Sequence, residues 1–91
     1  MSINVSTILP FVPKPSVLRV AVETLSNEFP YWRLTIYADD KGDEVVAAAH
    51  QPSDCLFVAK WTKSGWVVFT RFGAKVSNSP SLVRALREAM M

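Results

Sequence analysis

The sequence predicts an α+β domain: a helix, a four-stranded antiparallel meander and a second helix, with both helices on one face of the sheet and an extended N-terminal arm. Three observations predict it. Apolar residues recur at spacings of three and four in two segments near the ends of the chain, the period of an amphipathic helix. Between them, Tyr31 to Ala38 alternates Trp32, Leu34, Ile36 and Ala38 with Tyr31, Arg33, Thr35 and Tyr37, the period of a half-buried strand. Two clusters of turn residues, Asp39-Asp40-Lys41-Gly42-Asp43 and Thr62-Lys63-Ser64-Gly65, then divide the middle of the chain into hairpins.

Each element follows in order. Residues 1–15 hold Pro10, Pro13 and Pro15 among Ile3, Val5, Ile8, Leu9, Phe11 and Val12, and proline at this density predicts an extended arm whose apolar residues pack on something. From Ser16 to Asn27 the apolar positions Val17, Val20, Ala21 and Leu25, flanked by Leu18 and Val22, predict a helix that Pro30 ends. Tyr31 to Ala38 and Glu44 to Ala49 form the first hairpin. His50-Gln51-Pro52-Ser53-Asp54 interrupts, and Cys55 to Trp61 pairs with Trp66 to Phe72 in the second hairpin. Ser79 as N-cap and Pro80 at the first helical position open the last helix, whose stripe is Leu82, Val83, Ala85, Leu86, Ala89 and Met90.

The chain has 91 residues, 49% of them hydrophobic, with a net charge of +2. That suits one small domain and excludes a disordered chain. Met1 to Pro13 is too short and too broken by proline to span a bilayer, and no basic residue precedes Lys14 to make a secretory signal. With its single cysteine, Cys55, the chain is expected to be cytoplasmic and to contact no membrane.

The second hairpin departs from alternation. Leu56, Phe57, Val58 and Ala59, and Trp66, Val67, Val68 and Phe69, are apolar at every position, as in strands covered on both faces. Two helices cover only one face. The other must be met by the arm, by a second copy or by a partner, and a homodimer is the expected arrangement. Charge is also divided. Residues 1–59 carry four basic against seven acidic side chains, a net −3, and residues 60–91 carry six against one, a net +5. An acidic first turn beside a basic second hairpin suits electrostatic steering toward a partner.

Motifs for chemistry are sparse. His50, Asp54 and Cys55 are the nearest to a catalytic group, but Cys55 opens an apolar strand without the helix N-terminus or adjacent cation that activates a thiol. Asp39, Asp40, Asp43 and Glu44 lack calcium-loop spacing and read as an acidic turn. One His and one Cys fall short of a zinc site. Gly42, Gly65 and Gly73 stand alone, outside any phosphate-binding run. A non-enzymatic chain without cofactor or metal is expected.

The strongest functional hint is Trp61 and Trp66, with Lys60, Lys63, Arg71 and Lys75 close by. An even-length turn places Phe57, Ala59, Trp61, Trp66, Val68, Thr70 and Phe72 on one face and Leu56, Val58, Lys60, Val67, Phe69 and Arg71 on the other. Three readings stay open: a cross-strand core pair, a protein hot spot, or a stacking platform with a basic track for single-stranded nucleic acid.

Gly65-Trp66-Val67-Val68-Phe69-Thr70, followed by Asn78-Ser79-Pro80-Ser81-Leu82-Val83-Arg84-Ala85-Leu86-Arg87-Glu88-Ala89-Met90, resembles the end of small phage and prophage α/β-sandwich proteins, in which a Trp-bearing strand leads to a capped Leu/Ala helix. The resemblance covers the last third of the chain and implies a phage-type accessory protein, a class that includes inhibitors of host enzymes and host defence acting by binding. The element order is also similar to double-stranded-RNA-binding domains, whose basic second-helix start is missing here: Ser81 to Met91 offers only Arg84 and Arg87.

Overall fold

A computed structural model describes residues 15–91; residues 1–14, and with them the expected arm up to Pro15, lie outside the described residues. Pro15 opens helix α1 (Pro15–Glu28), where its missing N–H leaves no helical bond unmade. Leu18, Ala21 and Leu25 are buried, while Val17 and Val20, expected on the same stripe, are exposed. The period explains this: residues 18, 21, 22 and 25 fall within one narrow sector of the helix, and 17 and 20 fall outside it. The Phe29 amide continues the helical bonding to the Leu25 carbonyl at 2.8 Å, and Pro30 then stops it.

Among the described residues the sheet has five strands and not four: β1 (Trp32–Ala38), β2 (Glu44–His50), β3 (Cys55–Thr62), β4 (Gly65–Thr70) and β5 (Lys75–Ser79), antiparallel and in sequence order. The added strand β5 reads Lys-Val-Ser-Asn-Ser, too polar to be recognised by hydrophobic alternation; it exists because β4 offers it a ladder, Trp66 facing Ser79 and Val68 facing Ser77. A bulge between Val68 and Phe69 shifts the pairing so that Phe69 faces Lys75 and Val76 is the extra residue. Phe72, expected in strand four, lies instead in the β4–β5 turn and is 90% exposed.

Helix α2 (Leu82–Met90) closes the fold. Its N-cap is Ser81, whose hydroxyl accepts from the Arg84 amide at 3.3 Å, an interaction worth about 1 kcal/mol. Ser79, the expected cap, is the last residue of β5 and is buried, and its hydroxyl accepts from the Ser81 amide at 3.1 Å. The ladder with Trp66 claims the Ser79 backbone, which delays the helix by two residues. Ser77 ties strand to helix by donating to the Ala85 carbonyl at 2.6 Å.

Both helices pack on one face. Leu18, Ala21 and Leu25 of α1 and Leu82, Ala85, Leu86 and Met90 of α2 join Val46, Ala48, Ala59, Trp66 and Val68 of the sheet in a single core. Where the helices meet at that core, Arg87 donates to the Glu28 carboxylate at 2.6 Å. Among the described residues no helix is long and apolar enough to cross a membrane.

Candidate protein-binding face

The two-residue β3–β4 turn, Lys63-Ser64, sets the register that decides which side chains share a face. Trp61 pairs with Trp66 and Thr62 with Gly65. The turn is held from one side chain: the Thr62 hydroxyl donates to the Gly65 carbonyl at 3.0 Å and accepts from the Ser64 amide at 3.0 Å. Even turn length puts Phe57, Ala59, Trp61, Trp66 and Val68 toward the helices, as the sequence predicts, and leaves Val58, Lys60, Val67 and Phe69 on the opposite side.

The tryptophan pair is resolved by the same geometry. Trp66 is 2% exposed beneath the helices, and Trp61 meets it edge to face with ring centroids 5.6 Å apart. This is a cross-strand core pair. A nucleobase needs an open ring face, and buried Trp66 has none to offer. The four basic residues do not gather around the pair. Lys60 points to the opposite face because it lies between Ala59 and Trp61, Lys63 sits on the turn, and Lys75 lies on the edge strand β5. Arg71, at the far end of the sheet, donates to the Asp54 carbonyl at 2.7 Å and lies 3.5 Å from the Asp54 carboxylate. The six residues expected to form one site are therefore distributed over both faces and both ends of the sheet, although Lys60, Trp61, Trp66 and Arg71 all line the groove described below.

His50, Asp54 and Cys55 are likewise separated in role. His50 and Cys55 face one another across the ladder, but Nδ1 of His50 shares a 2.6 Å hydrogen bond with the Ser53 hydroxyl and the imidazole leans on Trp32, centroids 4.9 Å apart. Asp54 occupies the turn with φ of 57° and directs its carboxylate to Arg71. In the acidic turn, the Asp39 carboxylate accepts from the Lys41 and Asp43 amides, both at 2.9 Å, so its position is explained by holding the hairpin.

What the structure does bring together is the face opposite the helices. Its cross-strand rows run Tyr37 beside Val45, then Thr35, Ala47 and Val58 with Phe69, then Arg33, Ala49 and Leu56. The small Ala47 and Ala49 lower the floor along β2 between taller neighbours on β1 and β3. Along this face and around its end lies a groove of about 1030 Å³, lined by Tyr37, Val45, Leu56, Val58, Lys60 and Phe69 and, from the helix side, by Trp61 and Trp66. Asp39, Lys41, Asp43 and Glu44 line one end and Arg71 and Gly73 the other. At the acidic end the lining also includes Leu18 of α1, so the groove reaches around the end of the sheet to the start of the helix. Val45 and Val67 project into this side, stand outside the helical core, and are nevertheless only 1% and 4% exposed.

The sequence places Val58 and Lys60 on this face, whereas Tyr37 and Val45 join it from the first hairpin without a motif to mark them. The signal was present in β1, where strict alternation assigns Tyr37 to the side away from Trp32, Leu34 and Ile36. Phe72 could have been found from its place between Arg71 and Gly73, a turn composition. No family model, curated protein or solved structure matches this chain.

Proposed function

We propose that this chain is a non-enzymatic module that binds another protein through the sheet face opposite its helices. One observation supports this above the others: an apolar groove, with the carboxylates of Asp39, Asp43 and Glu44 beside Lys41 at one end and the Asp54-paired guanidinium of Arg71 at the other, runs along the sheet face away from the helices. Apolar floor gives affinity, and charges of opposite sign at the two ends give orientation to an extended segment. The exposed Phe72 adds an aromatic anchor at the Arg71 end. A second copy of the chain is one partner this surface suits. A host enzyme or defence protein is the form of partner supported by the resemblance of residues 65–90 to phage accessory proteins, and a reducing, cytoplasmic setting fits the lone Cys55.

Affinity capture with paired variants tests this reading. The chain with Tyr37→Ala and Lys60→Glu is expected to lose a nuclease-resistant protein partner that the unchanged chain retains, while Arg19→Ala on the exposed side of α1 retains it. Equal capture by the face variant, or loss of the captured material on nuclease treatment, would overturn the proposal.

A further inference from the structure

The sheet ends in two edges of different character. Among the described residues β1 and β5 are the outermost strands, and an edge left long, flat and apolar invites pairing with another chain. Strand β5 carries the usual safeguards: it has five residues, Lys75 at its start, a bulge at Val76 and a polar sequence. Strand β1 lacks them. It runs seven residues from Trp32 to Ala38, pairs with β2 in unbroken register and contains no proline or lysine.

The helix layer also runs out at β1. Leu34 and Ile36 pack toward the helices beside Ala48 and Val46 of β2, yet those two neighbours are fully buried while Leu34 and Ile36 are only half-buried. The backbone is open on the same side. The Asp39 amide donates to the Asp43 carbonyl at 2.9 Å and the Gln51 amide to the Tyr31 carbonyl at 3.4 Å, so the odd-numbered residues of β1 are those that bond to β2. Leu34 and Ile36 therefore aim both N–H and C=O outward, where no other described strand lies.

We infer that β1 pairs antiparallel with β1 of a second copy about a two-fold axis at Thr35, joining two five-stranded sheets into one.

The register argues for a second copy over an unrelated strand, because this edge is complementary to itself. A two-fold axis at Thr35 sets Leu34 opposite Ile36 of the other chain, so the outward groups of both exchange hydrogen bonds in phase. It also sets Trp32 opposite Ala38, large against small on the helix side, and Arg33 opposite Tyr37 on the outer side, a cation beside an aromatic ring. No like charges meet. The helices fit as well: α1 packs over both β1 and β2, so the same axis brings the two copies of α1 about 10 Å apart, the spacing at which helices pack. Leu34 and Ile36 would then be covered. The edge is separate from the groove, since neither Leu34, Thr35 nor Ile36 lines it.

Light scattering with charges exchanged at the axis tests this in the full-length chain. Thr35 is exposed and faces away from the helices, so a charge there spares the fold of the single chain, which circular dichroism verifies. The unchanged chain is expected to weigh about twice 10.1 kDa at micromolar concentration. In Thr35→Lys or Thr35→Glu, like charges stand opposite one another with their Cα atoms about 4.5 Å apart, and each variant alone is expected to dimerise about five-fold more weakly. Mixed in equal amounts, the two are expected to recover at least the affinity of the unchanged chain. A 10.1 kDa mass for the unchanged chain up to millimolar concentration would overturn the inference. So would a dimer unmoved by both Thr35 variants; its loss in Lys60→Glu would then assign the contact to the groove. Neither result depends on partner capture, so the binding proposal and this one fail separately.

Discussion

Replacing Leu86 by alanine is expected to lower the melting temperature by about 8–40 °C. Leu86 is fully buried where α1, α2 and the sheet converge, among Leu25, Val68 and Trp66. Removing its three terminal carbons forfeits burial and leaves a space that neighbours on three elements cannot all close, at a cost of about 2–5 kcal/mol. A domain of this size is stable by about 5–15 kcal/mol, and each kcal/mol corresponds to about 4–8 °C. Circular dichroism melting of the variant, with exposed Glu88→Ala on the same helix as comparison, checks it. A drop no larger than that of Glu88→Ala would contradict the packing described for α2.

Gly65→Ala is expected to destabilise more than Gly42→Ala, by a margin read in the urea midpoint. Both glycines hold positive φ, 98° and 87°, so each substitution carries a backbone strain of about 1–3 kcal/mol. Gly42 opens to free space, and the strain is its whole cost. A Cβ on Gly65 would stand 3.0 Å from the Ser79 carbonyl oxygen and 3.4 Å from the Pro80 Cα. Those are backbone atoms at the junction of β5 and α2, held by pairing with Trp66 on one side and the Ser81 cap on the other, so relief requires moving the helix away from the sheet. Equal effects of the two substitutions would contradict the close approach of β5 to the β3–β4 turn.

Gly65 also shows where the sequence was legible. Its place after Lys63-Ser64 marked a hairpin turn, and an even turn length then put Trp61 and Trp66 on one face and Lys60 and Val67 on the other, as observed. The alternation from Trp32 to Ala38 and the apolar stripe of α2 were equally plain, because each reflects burial on one side only. What was not legible depended on tertiary partners. Strand β5 has a single apolar residue, Val76, and is defined by hydrogen bonds that β4 supplies, so no periodicity could reveal it. The Ser81 cap followed from the same missed strand. The basic and tryptophan residues spread over both faces for a geometric reason: successive residues along a strand face opposite ways, so a stripe of charge in the chain is not a patch in space. The groove became visible only when β1 and β2 were laid beside β3 and β4, since Tyr37, Ala47 and Val58 come from three strands and share no motif.

We propose that the sheet face away from the helices is where this protein meets a partner. Amide chemical shifts of the isotope-labelled chain, followed while the captured protein is titrated in, test it most directly. Tyr37, Val45, Ala47, Val58, Lys60 and Phe69 are expected to shift together, with the exposed positions Glu23 and Arg84 on the helices unmoved. Shifts confined to the outer surfaces of α1 and α2, with those six residues unchanged at saturation, would contradict it.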